Sequence, residues 1–349
     1  MKYFKISVIG FLVMLTIQVG VLVFLETVYL ADNASYTSKK AEDNSSKKPV
    51  IQEFALENGS SDIAASFNGK YLTYLKDNNL FVLDSENNTS IKVPADNGMD
   101  LLYYKWIYDR NRLLLVERPT DLNKEAFYKL YYYDVSSNSK VEINNQVGKQ
   151  SAKIPVKSSD EKIGAIDLST LNNIIYIKLS GSNNYCRVYS LNIMARVSSV
   201  STVTHDIGKI ISTKRDDILI YENLKDKKIY SSGGNSPLTI DGNSNFSLLG
   251  IDNNDNIYLA LTDSALKTRI YYGNITNKDW KKIDLAAATD PKNIYINFDG
   301  QIFVSDTSKS TVMELLTGKS EAYSGNIIDI NSHYIISENN NRILKTIYQ

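Results

Sequence analysis

The fold is decided by Ser66-Phe67-Asn68-Gly69-Lys70-Tyr71-Leu72-Thr73-Tyr74 and by the run Asn79-Leu80-Phe81-Val82-Leu83-Asp84 that follows it. An Asn-Gly pair between two short apolar runs predicts a hairpin, because both residues tolerate the positive φ of a tight turn. The surrounding stretch Ile63–Val93 therefore predicts four strands, at Ile63–Phe67, Lys70–Leu75, Asn79–Asp84 and Thr89–Val93.

The rest of the chain repeats this pattern and shows no long segment with the apolar period of a helix. Similar groups of three or four strands are predicted at Leu101–Asn144, Lys162–Val200, Lys209–Ile240, Phe246–Leu285 and Asn293–Tyr323. In each group a middle strand is the most apolar, which indicates burial on both faces. All-β units of about 40 to 50 residues with four strands are typical of β-propeller blades.

The number of blades follows from the two ends of this repeated region. Three strands are predicted at Asn326–Asn331, His333–Glu338 and Arg342–Tyr348, and no fourth strand follows them. The run Val50–Leu56 has no group of its own, so we expect this N-terminal strand to complete the last blade and close the ring. Seven blades result; six or eight remain alternatives, because the third to fifth groups are degenerate.

These motifs resemble those of known propeller families. Ser66–Tyr74 is similar to the blade motif of TolB-like and WD40-like propellers, in which Ser-Pro-Asp-Gly-Lys precedes an apolar strand; Phe67 and Asn68 replace the Pro and Asp. Asp255–Leu259 and Asp299–Asp306 look more like the strand motif of NHL-type propellers. The resemblance implies a propeller fold in a membrane-anchored bacterial member of this superfamily. It specifies a turn and a strand, and almost nothing about activity.

The N-terminal segment has the features of a membrane anchor. Lys2 and Lys5 precede Ile6–Leu25, an uncharged run long enough, at about 1.5 Å per residue, to span a bilayer as a helix. The positive-inside rule predicts a cytoplasmic stub at residues 1–5 and a single-pass protein. Residues 31–49 are polar and predict a flexible linker to an extracytoplasmic body at 50–349. Secretion after signal cleavage is the alternative, although no suitable small-residue cleavage site follows Leu25.

Composition excludes several kinds of chemistry. The 39 basic and 39 acidic residues balance, so no surplus of positive charge indicates nucleic-acid binding. The single cysteine, Cys186, excludes an internal disulfide and any site that needs several cysteines. The two histidines, His205 and His333, lie beside predicted turns, and no nucleophile motif accompanies them. We therefore expect no cofactor and no catalytic residues.

Two groups of residues are candidates for binding. Tyr103, Tyr104, Trp106 and Tyr108 lie within one predicted blade and form a candidate ligand or partner site, although alternation along a strand also favours core packing for about half of them. Asp252, Asn254 and Asn256 place oxygen atoms at alternate positions and form a weak calcium candidate. Their pattern lacks the glycine and the final glutamate of an EF-hand loop, and a hairpin turn explains it equally. No other metal site is predicted.

These features favour a membrane-anchored, extracytoplasmic scaffold that binds a protein or glycan of the cell envelope without catalysis. The alternative is a propeller enzyme of the lactonase, glycosidase or lyase type that acts on a small molecule at the central channel. Its candidate carboxylates are Asp167, Asp217, Asp252 and Asp329, whose separations the sequence leaves open. A sensor domain that acts through the helix is a third hypothesis, and it would need a membrane partner.

Overall fold

The computed structural model of the protein describes residues 14–15, 18–19, 49–121, 126–145, 150–262, 268–331 and 333–347. One compact unit spans Met1–Lys47 and another Lys48–Gln349. In the first unit, residues 14–15 and 18–19 are helical. The remainder of the predicted helix Ile6–Leu25, the predicted stub 1–5 and the predicted linker up to residue 48 lie outside the described residues. Within the described ranges, no helix combines the length and the apolar character needed to cross a membrane.

The larger unit is built almost entirely from β-strands, with single turns of 3₁₀ helix at Ser182–Asn184 and Pro291–Asn293. Its strands, in chain order, are β1 (Val50–Ala55), β2 (Ser61–Ala65), β3 (Tyr71–Lys76), β4 (Asn79–Asp84), β5 (Thr89–Val93), β6 (Met99–Trp106), β7 (Arg112–Pro119), β8 (Phe127–Asp134), β9 (Ser139–Glu142), β10 (Asn144–Asn145), β11 (Gln150–Ser151), β12 (Lys153–Pro155), β13 (Lys162–Ser169), β14 (Ile174–Ser180), β15 (Cys186–Leu191), β16 (Val197–Val200), β17 (Ile207–Ser212), β18 (Leu219–Asn223), β19 (Lys228–Ser231), β20 (Ser247–Ile251), β21 (Asn256–Thr262), β22 (Thr268–Asn274), β23 (Lys281–Asp284), β24 (Ile294–Ile296), β25 (Ile302–Asp306), β26 (Thr311–Glu314), β27 (Ser320–Ala322), β28 (Asn326–Ile330), β29 (Tyr334–Asn339) and β30 (Arg342–Ile347).

These strands form seven antiparallel blades, which confirms the predicted all-β, seven-bladed propeller. In order, the blades are β2–β5, β6–β9 with β12, β13–β16, β17–β19, β20–β23, β24–β27, and β28–β30 with β1; β10 and β11 pair separately. The strand positions in a blade are named A to D in order across its sheet, beginning with β2, β6, β13, β17, β20, β24 and β28.

The A strands form the centre of the molecule, because they make the contacts between successive blades. Each contacts the next from β2 to β24, and β28 contacts β2 again, so the strands are arranged as a ring. Six of the seven contain a β-bulge opposite their B strand; β24 is the exception. A bulge bends a strand and redirects its side chains, so the A strands can turn polar residues toward the axis.

The B strands are buried on both faces, as predicted for the most apolar strand of each group. In β7, every residue from Leu113 to Glu117 is buried. Side chains of the B strands pack across blade boundaries. Leu113 and Leu115 of β7 in blade 2, for example, share one cluster with Leu80 and Val82 of β4 in blade 1. The core therefore lies between the blades, and each blade is stabilised by its neighbours.

Two blades depart from the four-strand pattern. Blade 4 has three strands, because Ser232–Asn245 contains Gly233, Gly234, Pro237 and Gly242 and makes only isolated pairings, such as Leu238 N–H to the Ile229 carbonyl. In blade 2 the long strand β8 pairs with two short strands: β12 along its first residues and β9 along its last.

The seventh blade contains β1 as its D strand. The pairing with β30 is antiparallel and runs from Val50↔Ile347 to Ala55↔Arg342. Turns that join A to B and C to D lie at one end of every blade, here called the AB/CD end, and the other connections lie at the BC/DA end. Since β30 ends at the AB/CD end, Val50 begins β1 there, and the chain enters the propeller at that end.

Candidate functional site

The A strands of blades 2, 3 and 4 are joined by an axial network of Lys105, Tyr108, Asp167 and Ser212. Lys105 Nζ donates to Asp167 Oδ1 over 2.8 Å, and the Tyr108 hydroxyl donates to the same oxygen. Asp167 Oδ2 accepts from the backbone N–H of Ser212 over 2.6 Å and from its hydroxyl over 3.0 Å. Asp167 is 1% exposed. Its buried charge is therefore paired with a lysine and fully hydrogen-bonded.

The electrostatics of this network favour a structural role. Burial alone would lower the pKa of Lys105, but Asp167 and Tyr108 raise it above its usual value. Burial and the charge of Asp167 raise the pKa of the Tyr108 phenol. At neutral pH the lysine is an ammonium and the tyrosine a neutral donor, so neither is poised to accept a proton.

A second polar link joins blades 4 and 5. Asp255 is buried and accepts from the backbone N–H of Lys214 over 2.7 Å and from that of Arg215 over 3.1 Å. The buried Lys214 ammonium donates to the Asp252 carbonyl oxygen. These contacts leave the Asp255 carboxylate bonded to the protein's own donors.

The calcium candidates lie in the AB turn of blade 5. Asp252 Oδ1 accepts from the backbone N–H groups of Asn254 (2.8 Å) and Asn256 (2.9 Å), while Oδ2 accepts from Asn256 Nδ2 (2.8 Å) and the Tyr258 hydroxyl (3.1 Å). These bonds stabilise the hairpin that was the alternative explanation of the motif. Across the described ranges, no three His, Cys, Asp or Glu side chains are grouped so as to hold a metal ion.

Two of the four candidate carboxylates remain to be placed. Asp217 Oδ1 accepts from Ser169 Oγ and Asn172 Nδ2, each over 2.9 Å, so it too is used in contacts between blades. Asp329 differs, because its donors among the described residues are neutral: the Tyr334 hydroxyl over 3.2 Å and the backbone N–H of Ile330. No cation of the described chain forms an ion pair with it.

Asp329 lines a cavity of about 470 Å³ between the A strands of blades 4 to 7. Polar side chains at its wall include Lys209, Glu222, Ser247 and Tyr295, and most of the remaining wall is leucine and isoleucine. Pro291 and Lys292, in the connection from β23 to β24, border it at the BC/DA end. Its volume is within the range of small-molecule sites, and its lining is more polar than is usual for them.

The predicted aromatic group does not form one exposed surface. Trp106 is buried and its indole N–H donates to Thr73 Oγ1 over 3.0 Å. Tyr103 and Tyr104, both half-buried, pack against different core clusters on opposite faces of β6. Tyr108 lies in the AB turn and belongs to the axial network. A role for these residues in binding a partner stays a prediction.

Neither the cysteine nor His205 lies at the cavity. Cys186 is buried in β15, and the exposed His205 ring stacks on Tyr185 with 4.2 Å between ring centroids. His205 Nδ1 lies 3.0 Å from the Cys186 carbonyl oxygen. These contacts link the BC connection of blade 3 to the connection between blades 3 and 4.

Large apolar side chains are exposed in turns at the AB/CD end. On blade 3, Leu171 in the AB turn is 62% exposed, and Ile193 and Met194 in the CD turn are 69% and 54% exposed. Leu316, in the CD turn of blade 6, is 69% exposed, and Phe67 occupies the AB turn of blade 1. These five residues are called the apolar turn set.

Comparison with solved structures agrees with this architecture. Oligogalacturonate lyase from Vibrio parahaemolyticus matches with a TM-score of 0.53 and 12% identity, over 86% of this chain and 97% of that one. The protein has a β-propeller fold. TolB from Acinetobacter baumannii matches with a TM-score of 0.42 and 12% identity, over 85% of this chain and 64% of that one. A prolyl endopeptidase matches with a TM-score of 0.49 and 13% identity, over 82% of this chain and 44% of that one.

At these identities the likeness establishes the fold alone. A comparison with protein-family models finds no match, and a comparison with curated proteins finds none either.

Sequence reasoning missed several residues that the fold brings together. Lys105, Lys209, Glu222 and Tyr295 come from three different blades. The available signal was their location: Lys105, Lys209 and Tyr295 lie in or beside the first predicted strand of their groups, the strand that faces the axis. The turn set was missed because isolated apolar residues in turns give no periodic signal.

Proposed function

We propose that this protein is a non-enzymatic recognition scaffold of the cell envelope. A single helix at Ile6–Leu25 would anchor it in the cytoplasmic membrane, with the propeller outside and the AB/CD end bound to an envelope protein. The observation that carries this proposal is the apolar turn set. Three of its members, Leu171, Ile193 and Met194, lie in the two AB/CD turns of blade 3, and exposed apolar side chains grouped in this way are typical of protein-binding surfaces.

The chemistry of this surface favours a protein over a glycan. Glycans are bound through exposed aromatic rings and polar groups, whereas Leu171, Ile193 and Met194 are aliphatic or thioether side chains on one edge of blade 3. The aromatic candidates of blade 2 are half-buried or buried. An envelope glycan remains the second partner to test.

The arrangement of carboxylates argues against the enzyme alternative. Hydrolysis of the glycosidase type uses two carboxyl groups, one as acid and one as base or nucleophile. The cavity contains Asp329, but Glu222 accepts from the backbone N–H groups of Lys209 (2.9 Å) and Leu248 (2.8 Å), one with each oxygen. Asp167, Asp217 and Asp252 are bonded within the protein. A lactonase or lyase acting through Asp329 is the remaining form of the alternative.

The anchor rests on the sequence: an uncharged run of bilayer length, preceded by lysines. Because β1 starts at the AB/CD end, the linker would enter the propeller on the side that carries the turn set. Secretion after signal cleavage is the alternative, and it would leave the same surface on a soluble protein.

The test is recovery of a partner with the full chain from detergent-solubilised membranes. We expect one protein to co-purify with the native chain and to be lost from the double variant Ile193→Asp, Met194→Asp. The matched control is Leu224→Asp, an exposed apolar residue in the BC turn of blade 4, which should retain the partner. Turnover by the purified chain on hydrolase or lyase substrates would contradict the proposal.

A further inference from the structure

The cavity between blades 4 and 7 carries opposite charges on two of its walls. Lys209 projects from β17 of blade 4 and Asp329 from β28 of blade 7, with the A strands of blades 5 and 6 between them. The intervening wall includes the apolar residues Leu248, Ile294 and Ile296 together with polar groups such as the Ser247 and Tyr295 hydroxyls. Because the cavity is partly open to solvent, each charged group would act on a ligand mainly through direct contact.

Asp329 is the carboxyl at the cavity that has no cation paired with it among the described residues. Its donors are neutral groups, the Tyr334 hydroxyl and the backbone N–H of Ile330, and Ile328 and Ile330 flank it in the chain. It lies at the bulge of β28, where the pairing with β29 shifts. Burial raises the pKa of this carboxyl. An incoming cation would therefore relieve an existing cost of ionisation.

Lys209 provides the opposite charge on the far wall. Lys209 is exposed, and its ammonium donates to the carbonyl oxygen of Leu249. Burial of the ammonium lowers the pKa of Lys209, and the nearby carboxylate of Glu222, which also accepts from two backbone N–H groups, partly offsets this effect. Of the other charged groups at the cavity, Lys292 is at the exposed rim and pairs with Asp290 over 3.0 Å.

We propose that this cavity binds a small zwitterion, such as an ω-amino acid, with its ammonium against Asp329 and its carboxylate against Lys209. A ligand with only a positive charge would be repelled by Lys209, and a ligand with only a negative charge would be repelled by Asp329. A zwitterion satisfies both walls while its carbon chain lies on the apolar surface. The hydroxyls of Ser247 and Tyr295 can supply further hydrogen bonds. This site goes beyond the proposed function, since none of the residues of the apolar turn set lines it.

The test uses titration calorimetry on the full chain in detergent with 4-aminobutyrate, 5-aminopentanoate and 6-aminohexanoate. Each is compared with the primary amine and the carboxylate of the same chain length. We expect at least one zwitterion to bind about tenfold more tightly than both of its singly charged analogues. Equal binding by an analogue, or no binding by any of the three zwitterions, would overturn the proposal.

Variants assign the two charges. Asp329→Asn keeps an oxygen for the Tyr334 hydroxyl and should lower the affinity for the zwitterion about tenfold, and Lys209→Met should do the same. Asp299→Asn, an exposed residue in the AB turn of blade 6, should bind as the native chain does. Thermal unfolding of each variant checks that it is folded. Undiminished binding by folded Asp329→Asn would refute the assignment.

Discussion

Asp167 and Asp329 both lie on A strands, but their carboxyl groups have different partners. Asp167 is buried, paired with Lys105 and bonded to Ser212 of the next blade. Asp329 borders a cavity and has only neutral donors, the Tyr334 hydroxyl and the Ile330 N–H, among the described residues. Removing the first should break contacts between blades, whereas neutralising the second should remove an unfavourable charge. Two measurements of stability separate these roles.

The first concerns Asp167→Ala. This change removes the carboxylate paired with the Lys105 ammonium, which keeps only the Ile166 carbonyl oxygen as an acceptor, and it removes the acceptor of the buried Ser212 N–H, so we expect the free energy of unfolding to fall by about 3 kcal/mol. Denaturant unfolding of the full chain measures it. Asp100→Ala, an exposed acid on the same strand as Lys105, should change stability by less than about 0.5 kcal/mol. Equal effects of the two substitutions would contradict the network.

The second concerns Asp329→Asn and its dependence on pH. Burial raises the pKa of Asp329 above 3.8, so the folded state binds this proton more tightly than the unfolded state does. Below pH 3.8 both states are protonated and the substitution should have little effect. As pH rises through the folded pKa, the native carboxylate becomes unfavourable, and Asp329→Asn should become more stable than the native chain. Melting curves between pH 3 and 8 would show this growing difference; a constant difference would contradict it.

At the scale of elements, β1 has the most distant pairing in the chain. Its Phe54 is 5% exposed and packs with Leu72, Tyr334 and Ile336, in a cluster shared by blades 1 and 7. Its Ile51 points outward and is 57% exposed. One strand thus offers a buried residue and an exposed residue for comparison.

Phe54→Ala should lower the free energy of unfolding by about 3 to 5 kcal/mol, because it removes a buried aromatic ring at the junction of two blades. Ile51→Ala should change it by less than about 0.5 kcal/mol. Denaturant unfolding of both variants provides the comparison. A small loss for Phe54→Ala would mean that β1 does not complete the seventh blade.

Some elements were predictable because their signals are local. The Asn68-Gly69 turn and the apolar runs on either side of it correspond to β2, β3 and β4 within a few residues. In blade 2 two short strands, β9 and β12, both occupy position D beside β8. This arrangement was not predictable, because it depends on which half of β8 each short strand pairs with. The missing D strand of blade 4 follows from Gly233, Gly234 and Pro237, a signal present in the sequence but weaker than the repeat.

The candidate sites were less predictable than the blades, for a physical reason. Lys105 and Asp167 meet only after blades 2 and 3 are stacked, and Lys209 and Asp329 share a cavity only when four blades are in place. The sequence identified Asp167 and Asp329 as candidate carboxylates. It could not assign one to an ion pair and the other to a cavity, because burial and partners depend on the closed ring.

At the scale of the whole propeller, the seven blades form two separate candidate binding regions, one in the AB/CD turns and one between the A strands. The apolar turn set lies at the AB/CD end, where β1 begins, and the cavity is bordered at the BC/DA end by Pro291 and Lys292. The proposed partner and the proposed small ligand would therefore bind to separate regions.

The most direct test of the central claim is photo-cross-linking in native membranes, with a photoreactive phenylalanine analogue at position 193 or 224 of the full chain. Position 193 lies in the apolar turn set, and position 224 is an exposed apolar position at the opposite end. We predict one discrete cross-linked protein from position 193 and none from position 224. The same product from both positions, or no product from position 193, would contradict recognition through the AB/CD end.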